Sequence, residues 1–296
     1  MSKIGVCISG GGAKIGFAVG VLETMYKKGI KPDVVYGISS GSLCTAGLCY
    51  GSLNFLKNQL LGIQKKEDVL DPQWFKALIT QVTGLGSADG LFGMKSMRKK
   101  LDELPNNTAV MKGVVGYVDL VSGGITYVSS TNVPKKDFLD AVQASCTIPL
   151  IMQTQRLQSE VRVDGGVRDI LPLKHLIDDP LGVDEIHVIN LSPVAPCQQP
   201  VEKKIAPVAL RTLDLLVNEV LQNDLKIAKL YNMLLQNNQG NLIPGKRLVK
   251  LFEYIPLNSI CETIDFKKEN IQKGIDHGIA IASKVLQNYP LGYVYS

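Results

Sequence analysis

The sequence has no run of 18 apolar residues, no paired cysteines and only three histidines, and each absence narrows its reading. Without such a run, nothing in the chain reads as a membrane span. The opening stretch MSKIGVCISGGG lacks the long apolar segment of a secretory signal. The six cysteines (Cys7, Cys44, Cys49, Cys146, Cys197 and Cys261) are scattered, with no C-x-x-C and no adjoining histidine cluster. Reduced thiols in a cytoplasmic protein are therefore expected, with no disulfide, structural metal or cofactor. Secretion by a route without a cleaved signal stays open. There are no repeats or low-complexity tracts and no nucleic-acid module, and the basic residues are spread out apart from KSMRKK at 95–100. The net charge of +5 suits an acidic partner such as an anionic lipid surface.

The chain has 296 residues, 45% hydrophobic and 20% charged, enough for one large α/β domain or a domain with a substantial appendage. KIGVCIS (3–9) is a short apolar run ending at three glycines and reads as a buried strand. FAVGVLETMYKKG (17–29) has helical spacing, cations in its last turn and a closing glycine. PDVVYGIS (32–39) reads as the next strand, so the three elements form a βαβ unit with parallel strands. A small-residue helix follows Gly41, and 52–105 reads as mostly helical and irregular. A hairpin is expected over 113–130, a helix over 136–146, a strand pair over 156–166 and a strand over 185–193. The stretch 209–236 reads as a long amphipathic helix, 247–256 as a late strand and 267–287 as a final helix. The Pro-bearing segment 193–207 marks a seam between an α/β core (1–195) and a mostly helical C-terminal region packed on it (196–296).

Gly37-Ile38-Ser39-Ser40-Gly41 is a G-x-S-x-G placed between an apolar strand and a small-residue helix. That is the setting of a nucleophile elbow, where a strained serine stands at the strand–helix corner and glycines on either side let the two elements approach. Only Ser39 is central to the motif; Ser40 and Ser42 fall in the first helical turn. A glycine-rich βα turn without chemistry is the competing reading. SGGGAK (9–14) follows the first strand, and its successive N–H groups suit an anion or an oxyanion. It is not a nucleotide loop of known pattern, because G-x-x-x-x-G-K-[ST] is absent and Ile15 stands where a G-x-G-x-x-G would need glycine. For a base, His175, His187 and His277 carry no catalytic signature. Asp164 sits where a strand ends in a double-glycine turn, VRVDGGVRD. It can either accept a proton from Ser39 or merely make an Asx turn. Asp169 reads as paired with Arg168 or exposed.

Together, GGGAK (10–14), GISSG (37–41) and DGG (164–166) resemble, in order and spacing, the motifs of the patatin-like phospholipase family. GVLETMYKKGIKPDVVYGISSGSL (20–43), AVQASCTIPLIMQ (141–153), DGGVRDILPL (164–173) and GVDEIHVINLSP (182–193) are similar to its flanking segments. The resemblance covers roughly residues 3–195. It implies a patatin-like three-layer α/β/α fold with a mostly parallel central sheet and a helical C-terminal layer. It also implies a Ser39–Asp164 dyad without histidine and an oxyanion hole at Gly10, Gly11, Gly12, Ala13 and Lys14. Gly37, Gly41, Gly165 and Gly166 would support the motifs, and no metal or cofactor would be needed. The implied substrate is a phospholipid, lysophospholipid or related lipid acyl ester. The chain departs from the family pattern at Lys14-Ile15, where arginine followed by glycine is usual, and at Ile170, which replaces an asparagine.

GLFGMKSMRKKL (90–101) mixes apolar and basic side chains, which suits either peripheral contact with a lipid surface or a solvated helix packed on the core. The alternatives to a lipid acyl hydrolase are an esterase, thioesterase or acyltransferase on the same dyad, or a catalytically silent module binding a lipid or partner. Oligomeric state is not legible in the sequence.

Overall fold

The computed structural model describes residues 2–73, 89–194, 201, 205–237, 239, 243, 245–259, 261 and 263–289. Cys197 and much of the expected seam at 193–207 lie outside them. β1 (Ile4–Ile8) leads through the glycine loop into α1 (Ile15–Lys27), and β2 (Val34–Gly37) into α2 (Ser40–Tyr50) and α3 (Leu53–Leu61). Gly29, at φ +76°, ends α1 as the sequence predicts. β3 (Asp71–Pro72) and β4 (Phe92–Gly93) form a small antiparallel pair ahead of α4 (Lys95–Asp102). The hairpin β5 (Lys112–Asp119) and β6 (Ile125–Ser129), α5 (Lys135–Ser145) and the hairpin β7 (Gln155–Leu157) and β8 (Glu160–Asp164) follow. α6 (Leu173–Ile177), β9 (Glu185–Ile189), α7 (Ile205–Gln236), β10 (Lys250–Tyr254) and α8 (Lys268–Val285) complete the described elements.

The main sheet runs β10-β9-β1-β2-β5 with every neighbour parallel. Helices cover both faces, so the central strands β1 and β2 are mostly apolar rather than alternating, while β9 buries Glu185 and His187 and β10 carries Lys250 and Glu253. Val6, Ile8 and Val35 face a core completed by α1, α2, α5 and α8, whereas Cys7, Val34 and Tyr36 face one completed by α6 and α7. This is the expected three-layer α/β/α arrangement. α1 and α8 touch backbone to backbone: a Cβ on Gly20 would lie 2.0 Å from Ile275 O. The C-terminal third adds β10 to the sheet and a helix to each layer.

The register around β5 sets up the site. β6 pairs with β5 residues Val114–Val118, so β2, on Lys112–Val115, and β8, on Tyr117–Asp119, share the opposite edge. β2 runs parallel to β5 and β8 antiparallel, so their C-terminal ends meet head-on across Gly116. Ser39 follows one end and Asp164 is the other. No side chain fits at the junction: a Cβ on Gly165 would stand 2.4 Å from Gly116 O.

Among the described residues, no helix is long and apolar enough to cross a membrane. In α4, Met97 and Leu101 are buried, and Arg98 is held by Asp102 and Asp140. The apolar side of α4 thus packs on the core, while Leu91 ahead of it is exposed.

Candidate active site

Ser39 has φ 53° and ψ −128°, a conformation that a non-glycine residue adopts at a cost of about 1–3 kcal/mol. The cost is tolerated because the surroundings clamp the backbone on both sides. Its N–H donates to Ser145 Oγ at 2.9 Å, while Ser42 Oγ and Cys146 Sγ donate to its carbonyl at 2.5 and 3.1 Å. The two motif glycines permit the turn: a Cβ on Gly37 would fall 2.2 Å from Gly41 O, and one on Gly41 2.3 Å from Ile8 O. The clamp residues Ser145 and Cys146 stand at the C-terminal end of α5, far from the elbow in sequence. The only hint of them was the similarity of 141–153 to a family segment.

Asp164 is 6% exposed and Ser39 5%. The carboxyl accepts the Gly166 N–H at 2.8 Å, so the Asx-type turn is present. The Ser39 side chain lies beside the carboxyl and, like the Gly166 N–H, draws its pKa down. Burial pushes its pKa up to about 7 from the ordinary aspartate value, against the opposing pull of Ser39 and the Gly166 N–H. Such a carboxyl sits near neutrality, where proton acceptance and return are both accessible.

The glycine loop is fixed from two sides. Gly10 N–H reaches Ile170 O at 3.4 Å, Ala13 N–H donates to Thr263 O at 2.8 Å, and Lys14 N–H to Gly11 O at 3.3 Å. Gly11 and Gly12 donate to no group among the described residues. Gly12 has φ +59°, and a Cβ there would stand 2.1 Å from Thr263 O. Lys14 is buried, with Nζ 3.2 Å from Ser192 Oγ in the loop after β9. Ile15 points into the core below α1 and does not reach the site. Ile170 packs between the loop and the aspartate turn: its Cδ1 would be 2.4 Å from a Cβ on either Gly10 or Gly166.

These residues open onto a cavity of about 460 Å³, which Gly10, Gly11, Gly12, Lys14, Ser39 and Asp164 line on one side. Ile148, Pro149, Ile151, Val167 and Ile170 give it an apolar wall, and Leu213, Val217 and Leu221 of α7 close another side. The apolar stripe at helical spacing in 209–236 is expected to cover the core or a substrate channel, and part of it does line this cavity. None of the histidines lines it. His187 is fully buried between Glu185 and Tyr254, His175 packs on Tyr127, and His277 packs edge-on against Phe17. Asp169 corrects an expectation: it is neither exposed nor paired with Arg168. It accepts the Tyr127 hydroxyl and lies against Asp224 of α7, because the loop after the aspartate turn folds under that helix.

A strained serine near a buried carboxyl, with two glycine N–H groups that donate to no group among the described residues, has the parts that a serine acyl hydrolase needs. A family model for patatin-like phospholipase matches residues 6–177. The chain belongs to that family of lipid acyl hydrolases. Among solved structures, it is similar to VipD from Legionella pneumophila (12% identity, TM-score 0.43, covering 96% of this chain and 67% of that one). It is also similar to human GIVD cytosolic phospholipase A2 (10% identity, TM-score 0.46, covering 97% of this chain and 59% of that one). A third is the type III effector ExoU (13% identity, TM-score 0.32, 96% and 54%). The chain thus spans between about half and two thirds of the length of these proteins.

Proposed function

We propose that the protein releases fatty acids from phospholipids or lysophospholipids through a Ser39–Asp164 dyad. The observation that carries this reading is the buried carboxyl of Asp164 beside Ser39 at its strained elbow, both lining one cavity. Ser39 Oγ attacks the acyl carbonyl carbon and its proton passes to Asp164. The carbonyl oxygen becomes an oxyanion, to which the Gly11 and Gly12 N–H groups donate. The ester C–O bond then breaks, and Asp164 returns the proton to the departing alkoxide, freeing an alcohol and leaving an acyl-serine. Water attacks that acyl group, Asp164 accepts its proton, and the proton returns to Ser39 as the fatty acid departs. The apolar walls of the cavity suit an acyl chain, and its mixed end at Lys14 and Ser192 suits the polar part of the substrate.

The test is fatty acid release from mixed phospholipid vesicles by the purified chain, Ser39→Ala and Asp164→Asn. Release by the unsubstituted chain and loss of at least about a thousandfold in both variants are expected. Full activity in Asp164→Asn would remove the carboxyl from the reaction.

A further inference from the structure

α7 spans Ile205–Gln236, and both of its sides are apolar. On the inner side Leu221, Leu225 and Ala228 are buried, and Leu213, Val217 and Leu221 wall the catalytic cavity. On the outer side Val208, Leu215, Leu216, Ile227, Leu230 and Met233 are exposed, Leu216 by 62% and Met233 by 57%. A helix that covers one core needs a single apolar stripe, with polar residues facing out. The six outer side chains present on the order of 500 Å² of apolar surface, toward the top of what the largest patch on a monomer shows.

The polar residues of this outer face say what covers it. The charges on its flanks are engaged, Arg211 by Asp214 and Lys229 by Glu253. On the face itself the charged residues are Glu219 and Lys226, both exposed and neither with an ion-pair partner among the described residues. Between them stands Asn223, exposed and with no hydrogen-bond partner among the described residues. Leu216, Asn223 and Leu230 recur every seven residues, the spacing of a seam between two helices, and a single asparagine in such a seam fixes its register. Lay a second α7 antiparallel on the first, Asn223 against Asn223. Leu216 then falls opposite Leu230 and Glu219 beside Lys226, and two-fold symmetry makes each pair occur twice. A parallel arrangement would instead set Glu219 against Glu219 and Lys226 against Lys226.

We propose that the outer face of α7 docks on the same face of a second copy of this chain, forming an antiparallel two-fold dimer centred on Asn223. The pairing buries the patch of both copies, on the order of 1,000 Å² of apolar surface, and with its polar flanks reaches the roughly 1,600 Å² of a standard interface. Because the inner side of the same helix walls the cavity, each copy braces a wall of the other's cavity. The dimer does not depend on the chemistry at Ser39.

Sedimentation velocity of the purified full chain tests this. At about 1 to 100 μM the unsubstituted chain should run at twice the mass of a single chain. Leu230→Gln should raise the dimer dissociation constant about a hundredfold, since the loss is counted twice. Glu219→Lys and Lys226→Glu should each raise it at least about tenfold, by setting like charges together. Mixing those two charge variants should restore a dimer of one copy of each, because one copy then presents two lysines and the other two glutamates. All three positions are exposed, so the far-UV circular dichroism of each variant should match the parent and separate lost pairing from lost fold. A single chain at about 100 μM, a dimer that all three variants leave intact, or charge variants that fail to pair on mixing overturns the proposal. So does a monomer that co-sediments with phosphatidylcholine vesicles until Leu230→Gln releases it, which would make the face a lipid contact.

Discussion

Asp164→Asn should stabilise the protein at neutral to alkaline pH while removing its activity. In the unfolded chain the carboxyl loses its proton near pH 4, but in the folded chain burial holds it until about pH 7. Between those values the native state keeps a proton that the unfolded state has released, so stability falls as pH rises. Above pH 7 the ionised carboxylate stays buried, at a cost of about 4 kcal/mol relative to acid conditions. Asparagine copies the protonated form in shape and can still accept the Gly166 N–H. The variant should therefore match the unsubstituted chain near pH 4 and exceed it increasingly up to pH 8. At about 2 °C per kcal/mol for a chain of this size, the gain in melting temperature approaches about 8 °C. Thermal scans of both proteins from pH 4.5 to 8.5 measure it. Asp224, whose pKa is also raised, contributes equally to both proteins and cancels. An Asp164→Asn protein no more stable than its parent at pH 8, or a difference that does not change with pH, would refute the desolvation reasoning.

Other outcomes follow from the same geometry. Hydrolysis should rise with pH through about 7, because the base acts only when ionised, and a rate profile at saturating substrate reads this directly. Ser145→Ala leaves the buried Ser39 N–H without an acceptor. It should cost about 1–3 kcal/mol in denaturant unfolding and lower kcat more than it changes KM. Gly12→Ala drives a methyl group into Thr263 O at a positive φ. It should lower kcat by about 10²–10³ through displacement of the N–H donors, with slowed fluorophosphonate labelling as the check. Burial, and the neighbouring Asp169, push the Asp224 pKa well above the ordinary aspartate value. The stability this lends is full below about pH 4 and is lost as pH rises from there to the raised folded pKa, so Asp224→Asn should flatten the decline across the acid-to-neutral range in thermal scans.

What could be read from the sequence was whatever local spacing determines. The βαβ unit, the elbow at Ser39 and the double-glycine turn at Asp164 each depend on residues within a few positions of one another. Partnerships across the chain were not legible in this way. Which N–H groups of the glycine loop stay unspent depends on Ile170 O and Thr263 O, residues about 160 and 250 positions away by sequence number. Asp169 finds Tyr127 and Asp224 because a loop passes under a helix whose position the sequence does not state. The 90–101 segment shows the same limit: its apolar and basic mixture favours a helix packed on the core but does not name the side chains that pack, and the structure buries Met97 and Leu101 while leaving Leu91 exposed. The double-glycine turn offered Asp164 as a partner for Ser39 beside the Asx-turn alternative, and the family resemblance favoured the pairing; what brings the two residues near each other is the register of two strands on one edge of β5.

That register also bears on why a carboxyl alone can serve as the base. The ends of β2 and β8 meet so closely across Gly116 that the junction tolerates no side chain at Gly165, which brings serine and acid to one place. A solvated carboxylate would be a poor base for a hydroxyl, being about as acidic as acetic acid. Enclosing it raises its proton affinity to about 7, close to the value an imidazole has in water. On the proposed reading, burial thus performs the tuning that a histidine performs elsewhere. The stability lost by ionising a buried carboxyl and the reactivity gained are then one quantity, so any substitution that admits water beside Asp164 should relieve the first and diminish the second together.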